Sequence, residues 1–186
     1  YRLSLDMYKR LHGEDSENSN MARVLNNLGT VYSNTEEYKK AEEYYRLSLD
    51  MYKRLHGEDS ENSNMARVLN NLGTVYSNTE EYKKAEEYYR LSLDMYKRLH
   101  GEDSENSNMA RVLNNLGTVY SNTEEYKKAE EYYRLSLDMY KRLHGEDSEN
   151  SNMARVLNNL GTVYSNTEEY KKAEEYYRLS LDMYKR

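Results

Sequence analysis

The sequence predicts an all-α fold: a solenoid built by stacking antiparallel helix pairs. Three observations carry that prediction. First, the chain of 186 residues is identical to itself at an offset of 44, so that Tyr1 matches Tyr45 and Arg142 matches Arg186. A fixed period of this length marks an array whose unit is one supersecondary motif. Second, each unit contains two apolar stripes at the 3.6-residue spacing of a helix. Third, the polar run HGEDSENSN interrupts the apolar pattern once per unit, where no continuous helix would be sustained. The full units are 11–54, 55–98, 99–142 and 143–186, preceded by the decapeptide 1–10, which copies the end of a unit. A single right-handed coiled coil with an eleven-residue period is excluded, because neither stripe recurs at eleven. One helical hairpin cannot close a core, so each must bury its faces against its neighbours.

Helix A of the first unit is predicted over about residues 17–35. On a helical wheel Met21, Leu25, Leu28 and Tyr32 share one narrow arc, flanked by Val24 and Val31. Arg23, Asn27, Thr30 and Asn34 occupy the opposite face, with Asn26 and Ser33 beside them. Ala22 and Gly29 form a third edge. A glycine inside a helix costs about 1 kcal/mol relative to alanine, which predicts a close approach by a neighbouring helix there. Ser16 or Ser19 is expected to cap the N-terminus, with Glu17 at the positive end of the dipole.

Helix B is predicted over about residues 37–55. Its stripe is Tyr38, Ala41, Tyr45, Ser48, Tyr52 and Leu55, widened by Tyr44, Leu47 and Met51. Acids precede bases by four residues at Glu36 and Lys40, Glu42 and Arg46, and Asp50 and Arg54, the orientation that supports a helix. Gly57 is the expected C-terminal stop. The alternation LSLDMY imitates a strand, but only inside the longer helical period, so no strand is expected. The decapeptide 1–10 then reads as the second half of a preceding helix B, with Leu3, Met7 and Tyr8 able to cover the flank of the first helix A.

Composition narrows the function. The chain has no cysteine, and its 27 basic residues face 33 acidic ones for a net charge of −6, without the basic block that a phosphate-tracking nucleic-acid binder needs. No apolar run could span a bilayer and no signal-like segment precedes the first unit, so a cytoplasmic protein, natural or in an expression host, is expected. His12, His56, His100 and His144 stand a whole unit apart, too far in sequence for one closed metal site. EDSENSN lacks the framework of a calcium loop. No glycine-rich phosphate loop and no nucleophile with a base at a workable spacing appears, so neither an enzyme nor a cofactor is expected. Most of the 22 tyrosines fall on the apolar stripes and should be core, with hydroxyls at the rim. Identity between copies, undisturbed by drift, points to engineering over recent amplification.

The segments LNNLGTVY and EYKKAEEYY, followed by the small Ser48, resemble the tetratricopeptide repeat, in detail the longer type found in kinesin light chains. Leu25, Leu28, Gly29, Tyr32, Tyr38, Ala41 and Tyr45 stand at the family's signature positions, and the pattern recurs in all four units. There are departures: Glu36 replaces the usual turn glycine, and Lys53 stands where shorter repeats have a helix-ending proline. The loop is also longer than the common one. The resemblance implies a right-handed superhelix in which helix A lines a concave surface that holds peptide segments of other proteins. It would place there Arg23, Asn27, Thr30 and Asn34; Arg67, Asn71, Thr74 and Asn78; Arg111, Asn115, Thr118 and Asn122; and Arg155, Asn159, Thr162 and Asn166. Asparagine both donates to and accepts from an extended backbone, and arginine forks onto a carboxylate. The expected function is a protein-interaction scaffold for extended acidic peptides. The alternative is an idealised array with no evolved ligand. The non-identical ends also suggest head-to-tail self-association.

Overall fold

Asn18 opens the first helix: its backbone is extended, and its Oδ1 accepts a hydrogen bond from the Met21 N–H at 2.9 Å. This satisfies one of the donors that a helix N-terminus leaves without an intrahelical partner. Asn62, Asn106 and Asn150 cap the later copies in the same way. The cap is therefore asparagine and not serine; Ser19 is already the first helical residue. Asparagine caps as well as serine, and here it is the residue whose backbone turns out of the helix.

The computed structural model describes residues 18–57, 60–101, 104–145, 148 and 150–185. The decapeptide with Leu3, Met7 and Tyr8, together with His12, Ser16 and Glu17, lies outside the described residues. These hold eight helices and no strand: α1 (Ser19–Asn34), α2 (Tyr38–His56), α3 (Ser63–Asn78), α4 (Tyr82–His100), α5 (Ser107–Asn122), α6 (Tyr126–His144), α7 (Ser151–Asn166) and α8 (Tyr170–Lys185). The odd-numbered helices are A and the even-numbered ones are B. The chain divides into two compact units, Tyr1–Leu99 and His100–Arg186. The first contains α1 to α4, apart from the last residue of α4, and the second contains α5 to α8.

Each helix A ends in a Schellman turn. The Glu37 N–H donates to the Tyr32 carbonyl at 2.8 Å and the Glu36 N–H to that of Ser33 at 3.1 Å, which requires a left-handed residue at position 36. Glu36 adopts φ 59°, and Glu80, Glu124 and Glu168 take 61°, 61° and 62°. The left-handed turn is made with glutamate in place of glycine, at a steric cost of about 1–2 kcal/mol per copy. Gly57 closes helix B at φ 93° and ψ 152°, a region that in effect only glycine enters, and its N–H bonds the Lys53 carbonyl.

Within a helix pair the small-residue edge meets helix B, as expected. A Cβ on Gly29 would lie 2.6 Å from Cδ1 of Tyr45, so the ring packs directly on the helix backbone. The Ser48 hydroxyl donates to the Ala22 carbonyl at 2.6 Å. Leu47, expected on the apolar stripe, is instead 45% exposed, whereas Leu49 is buried. Leu47 lies about 130° around the helix from the centre of that stripe, and Leu49 only about 70°. The Glu42–Arg46 pair forms at 2.9 Å, but Lys40 pairs with Glu37 instead of Glu36. Arg98 and Arg142, the equivalents of Arg54, reach the loop acids Glu61 and Glu105 at 3.5 and 3.9 Å.

Within each compact unit the two helix pairs are joined by two polar contacts. In the first unit the Tyr76 hydroxyl donates to Glu42 Oε1 at 2.6 Å and accepts from Arg46 Nη2 at 2.7 Å. Its ring stacks on Tyr88 at 5.3 Å with the Lys84 ammonium 5.0 Å from its centre. Burial alone would raise the Glu42 carboxyl, but the Tyr76 hydroxyl and the Arg46 guanidinium outweigh it and hold the group below the usual carboxylate value. Burial, with Glu42 adding to it, pushes the Tyr76 hydroxyl up to about 12. The second unit repeats the joint with Tyr164, Glu130 and Arg134. The other contact links the A helices: Asn71 Nδ2 donates to Asn26 Oδ1, and Asn159 Nδ2 to Asn114 Oδ1, both at 3.0 Å. Asn26 is accordingly buried, at 3% exposure, and does not belong to the solvated face.

Candidate functional site

Within each unit two A helices lie side by side. In the first unit α1 packs beside α3, and in the second α5 beside α7, so each unit brings two Arg–Asn–Thr–Asn rows together. Asn34, Asn78, Asn122 and Asn166 are exposed at the ends of their helices. Asn27, Asn71, Asn115 and Asn159 are half-buried. Thr74 and Thr118 are half-buried, while Thr30 and Thr162 are exposed.

The arginines are aimed by a residue that the expected row omitted. Arg23 Nη2 donates to Asn20 Oδ1 at 3.2 Å, and Arg67, Arg111 and Arg155 bond Asn64, Asn108 and Asn152 at 3.2, 3.3 and 3.4 Å. The spacing of three, which makes two residues neighbours on a helix, could have revealed these partners. No carboxylate pairs with any of the four guanidiniums among the described residues. Arg67 Nε and Arg111 Nε are buried with no hydrogen-bond acceptor. Two guanidiniums also act on Tyr52 and two on Tyr140. Burial raises the Tyr52 hydroxyl, and the charges of Arg67 and Arg23 pull it partly back, while Arg155 and Arg111 act likewise on Tyr140.

Other members of the row serve packing. Thr30 Oγ1 donates to the Asn26 carbonyl and accepts from the Tyr45 hydroxyl, both at 3.1 Å. The same tyrosine contact recurs at Thr74, Thr118 and Thr162. Burial pushes Tyr89 and Tyr133 up to about 12, consistent with hydroxyls held as donors. One N–H of Asn71 and of Asn159 is committed to the preceding helix A. What the face retains for a ligand is guanidinium charge and the remaining amide groups.

A cleft of about 580 Å³ in the first unit opens between α2 and α4 over Met65 and Leu69, and none of Arg67, Asn71, Thr74 or Asn78 lines it. Its rim mixes Arg46 and Arg98 with Asp50 and Glu87, so it favours neither sign of charge. His56 and His144 stack on Tyr52 and Tyr140 at 6.3 Å in the last turn of helix B. Among the described residues no three His, Asp or Glu side chains converge as a metal site, and no helix is long and apolar enough to cross a membrane.

The tetratricopeptide repeat profile matches residues 1–54, 20–98, 64–107 and 108–186. Among solved structures the chain is similar to BtubC (BKLC) from P. vanneervenii, with a TM-score of 0.80 and 25% identity over 98% of this chain and 70% of that one. It is similar in fold to the apo form of RapI, with a TM-score of 0.79 and 20% identity over 98% of this chain and 62% of that one. No curated protein matches the sequence.

Proposed function

The chain belongs to the tetratricopeptide repeat family, a protein-interaction scaffold, and we propose that it holds extended acidic peptides along the polar face of helix A. One contrast carries this reading. Arg46, Arg90, Arg134 and Arg178 on the B helices each pair with a glutamate one turn earlier. Arg23, Arg67, Arg111 and Arg155 on the A helices pair with no acid among the described residues, in a chain with a surplus of acids. Each is oriented by an asparagine, which lowers the entropy lost on forking onto a carboxylate. The remaining amide groups of Asn71 and Asn159 are suited to the peptide backbone.

Calorimetric titration with an extended acidic peptide and its neutral counterpart tests the reading. Replacing Arg23, Arg67, Arg111 and Arg155 together by glutamine should weaken the acidic peptide by about tenfold or more and flatten the salt dependence. The absence of binding to the unmodified chain, or binding that the substitutions leave alone, would contradict it. A second reading, an idealised array whose polar face serves only its own packing, is favoured by the threonine hydroxyls and asparagine N–H groups already committed to neighbouring helices. It predicts no peptide-dependent change on any A helix.

A further inference from the structure

Inside each unit the arginines of the two A helices stand as a pair. The start of α1 meets the end of α2, where the Tyr52 hydroxyl donates to the Ser19 carbonyl, and Gly29 further along α1 meets Tyr45. Helix α3 is likewise antiparallel to α2, with Tyr76 near its end bonded to Glu42 and Met65 near its start beside Lys53. Helices α1 and α3 therefore run parallel, and the bond from the Asn71 amide to Asn26 fixes their register. One turn toward both N-termini from that bond stand Arg23 on α1 and Arg67 on α3, which makes them neighbours on one face. The bond from Asn159 to Asn114 sets Arg111 of α5 beside Arg155 of α7 in the same way. Both members of each pair act on one tyrosine hydroxyl, Tyr52 in the first unit and Tyr140 in the second, as that register requires.

Among the described residues no acid offsets these pairs. The first turn of each A helix contains none, so the positive ends of two helix dipoles add to two guanidiniums. Glu61 and Glu105, just ahead of α3 and α5, are turned to Arg98 and Arg142. Each guanidinium gives one bond to its asparagine, and in each pair one Nε, that of Arg67 or of Arg111, has no acceptor. A carboxylate would neutralise only half of such a pair. A phosphomonoester carries a charge of about −1.5 to −2 and three acceptor oxygens, enough for both forks. We propose that each pair, Arg23 with Arg67 and Arg111 with Arg155, holds one phosphomonoester group, so that the preferred segment is a peptide phosphorylated on serine or threonine. This rests on the peptide-binding reading of the A-helix face and names the group that the face selects.

Calorimetric titration of the 186-residue chain tests the proposal, with one acidic peptide carrying serine, glutamate or phosphoserine at a single position, and with inorganic phosphate as a fourth ligand. The phosphoserine form should bind about tenfold or more tighter than the glutamate form, and inorganic phosphate far more weakly than either. Arg23→Gln combined with Arg155→Gln breaks both pairs at exposed positions, so it should leave the circular dichroism spectrum unchanged and erase the preference for phosphoserine over glutamate. Equal affinity for the phosphoserine and glutamate forms would overturn the phosphate site while leaving the acidic-peptide reading in place. A preference that survives the double substitution would overturn the pairing of the arginines. Inorganic phosphate binding as tightly as the phosphopeptide would overturn the peptide as its source, and no binding by any peptide would overturn both readings together.

Discussion

Helices α6 and α8 share sixteen residues in the same order, Tyr126–Lys141 and Tyr170–Lys185, and they are not the same helix physically. On α6 six residues are buried: Ala129, Tyr133, Ser136, Leu137, Met139 and Tyr140. On α8 only Ala173 and Ser180 are. The residues buried in both are those facing the helix A of the same pair, and the rest depend on the next pair. Sequence sets which face of a helix is apolar; the neighbour sets what that face is worth. Burying a leucine fully contributes about 1.5–3 kcal/mol relative to leaving it exposed, and Leu181 realises only part of that.

The comparison can be sharpened first at the glycines. A Cβ on Gly117 would stand 2.7 Å from the ring of Tyr133, and one on Gly161 equally close to the ring of Tyr177. Tyr133 is enclosed, whereas Tyr177 is 37% exposed and has room to swing. Gly117→Ala should therefore lower stability by about 2 kcal/mol, through overpacking. Gly161→Ala should be close to neutral, because the gain in helix propensity of about 1 kcal/mol offsets a milder clash. Urea unfolding of the two variants reads the difference directly.

A smaller effect follows from titrating the joint that α6 has and α8 lacks. Glu42 and Glu130 are held below their ordinary value of 4.5 in the folded state, so their contribution is present above that pH and is lost as pH falls through the lowered value. Tyr164 is raised from 10.0 to about 12, so the fold favours its protonated form, and that contribution is lost as pH rises from 10 to about 12. Water screens the partly exposed glutamate, leaving about 1 kcal/mol or less per joint. Thermal melts across pH should show both shoulders, and Tyr164→Phe should shrink the alkaline one.

Features governed by local geometry were legible in the sequence. The period, the two helices of each unit, the stop at Gly57 and the close approach at Gly29 all follow from spacing and from what glycine permits. Features decided by a neighbour were not. Asn26 and Asn27 are adjacent and chemically identical, and only the approach of the next helix A buries the first and turns the amide of the second's equivalent, Asn71, toward it. Thr30 reads as a ligand contact until the Tyr45 hydroxyl, fifteen residues on, takes its oxygen. Glu36 shows the reverse case, a local residue preference overruled because the Schellman turn demands a left-handed backbone whatever side chain stands there.

The dependence of a helix on its neighbour is tested most directly by measuring the cost of Leu181→Ala twice, in the 186-residue chain and in the same chain extended by one further copy of residues 143–186. Half-exposed in the first, Leu181 should cost about 1 kcal/mol or less; covered by a new helix A in the second, it should cost about 2–3 kcal/mol, as expected for a leucine buried like Leu137. An unchanged cost would show that helix B acquires its packing without the next pair, contrary to the account given for α6 and α8.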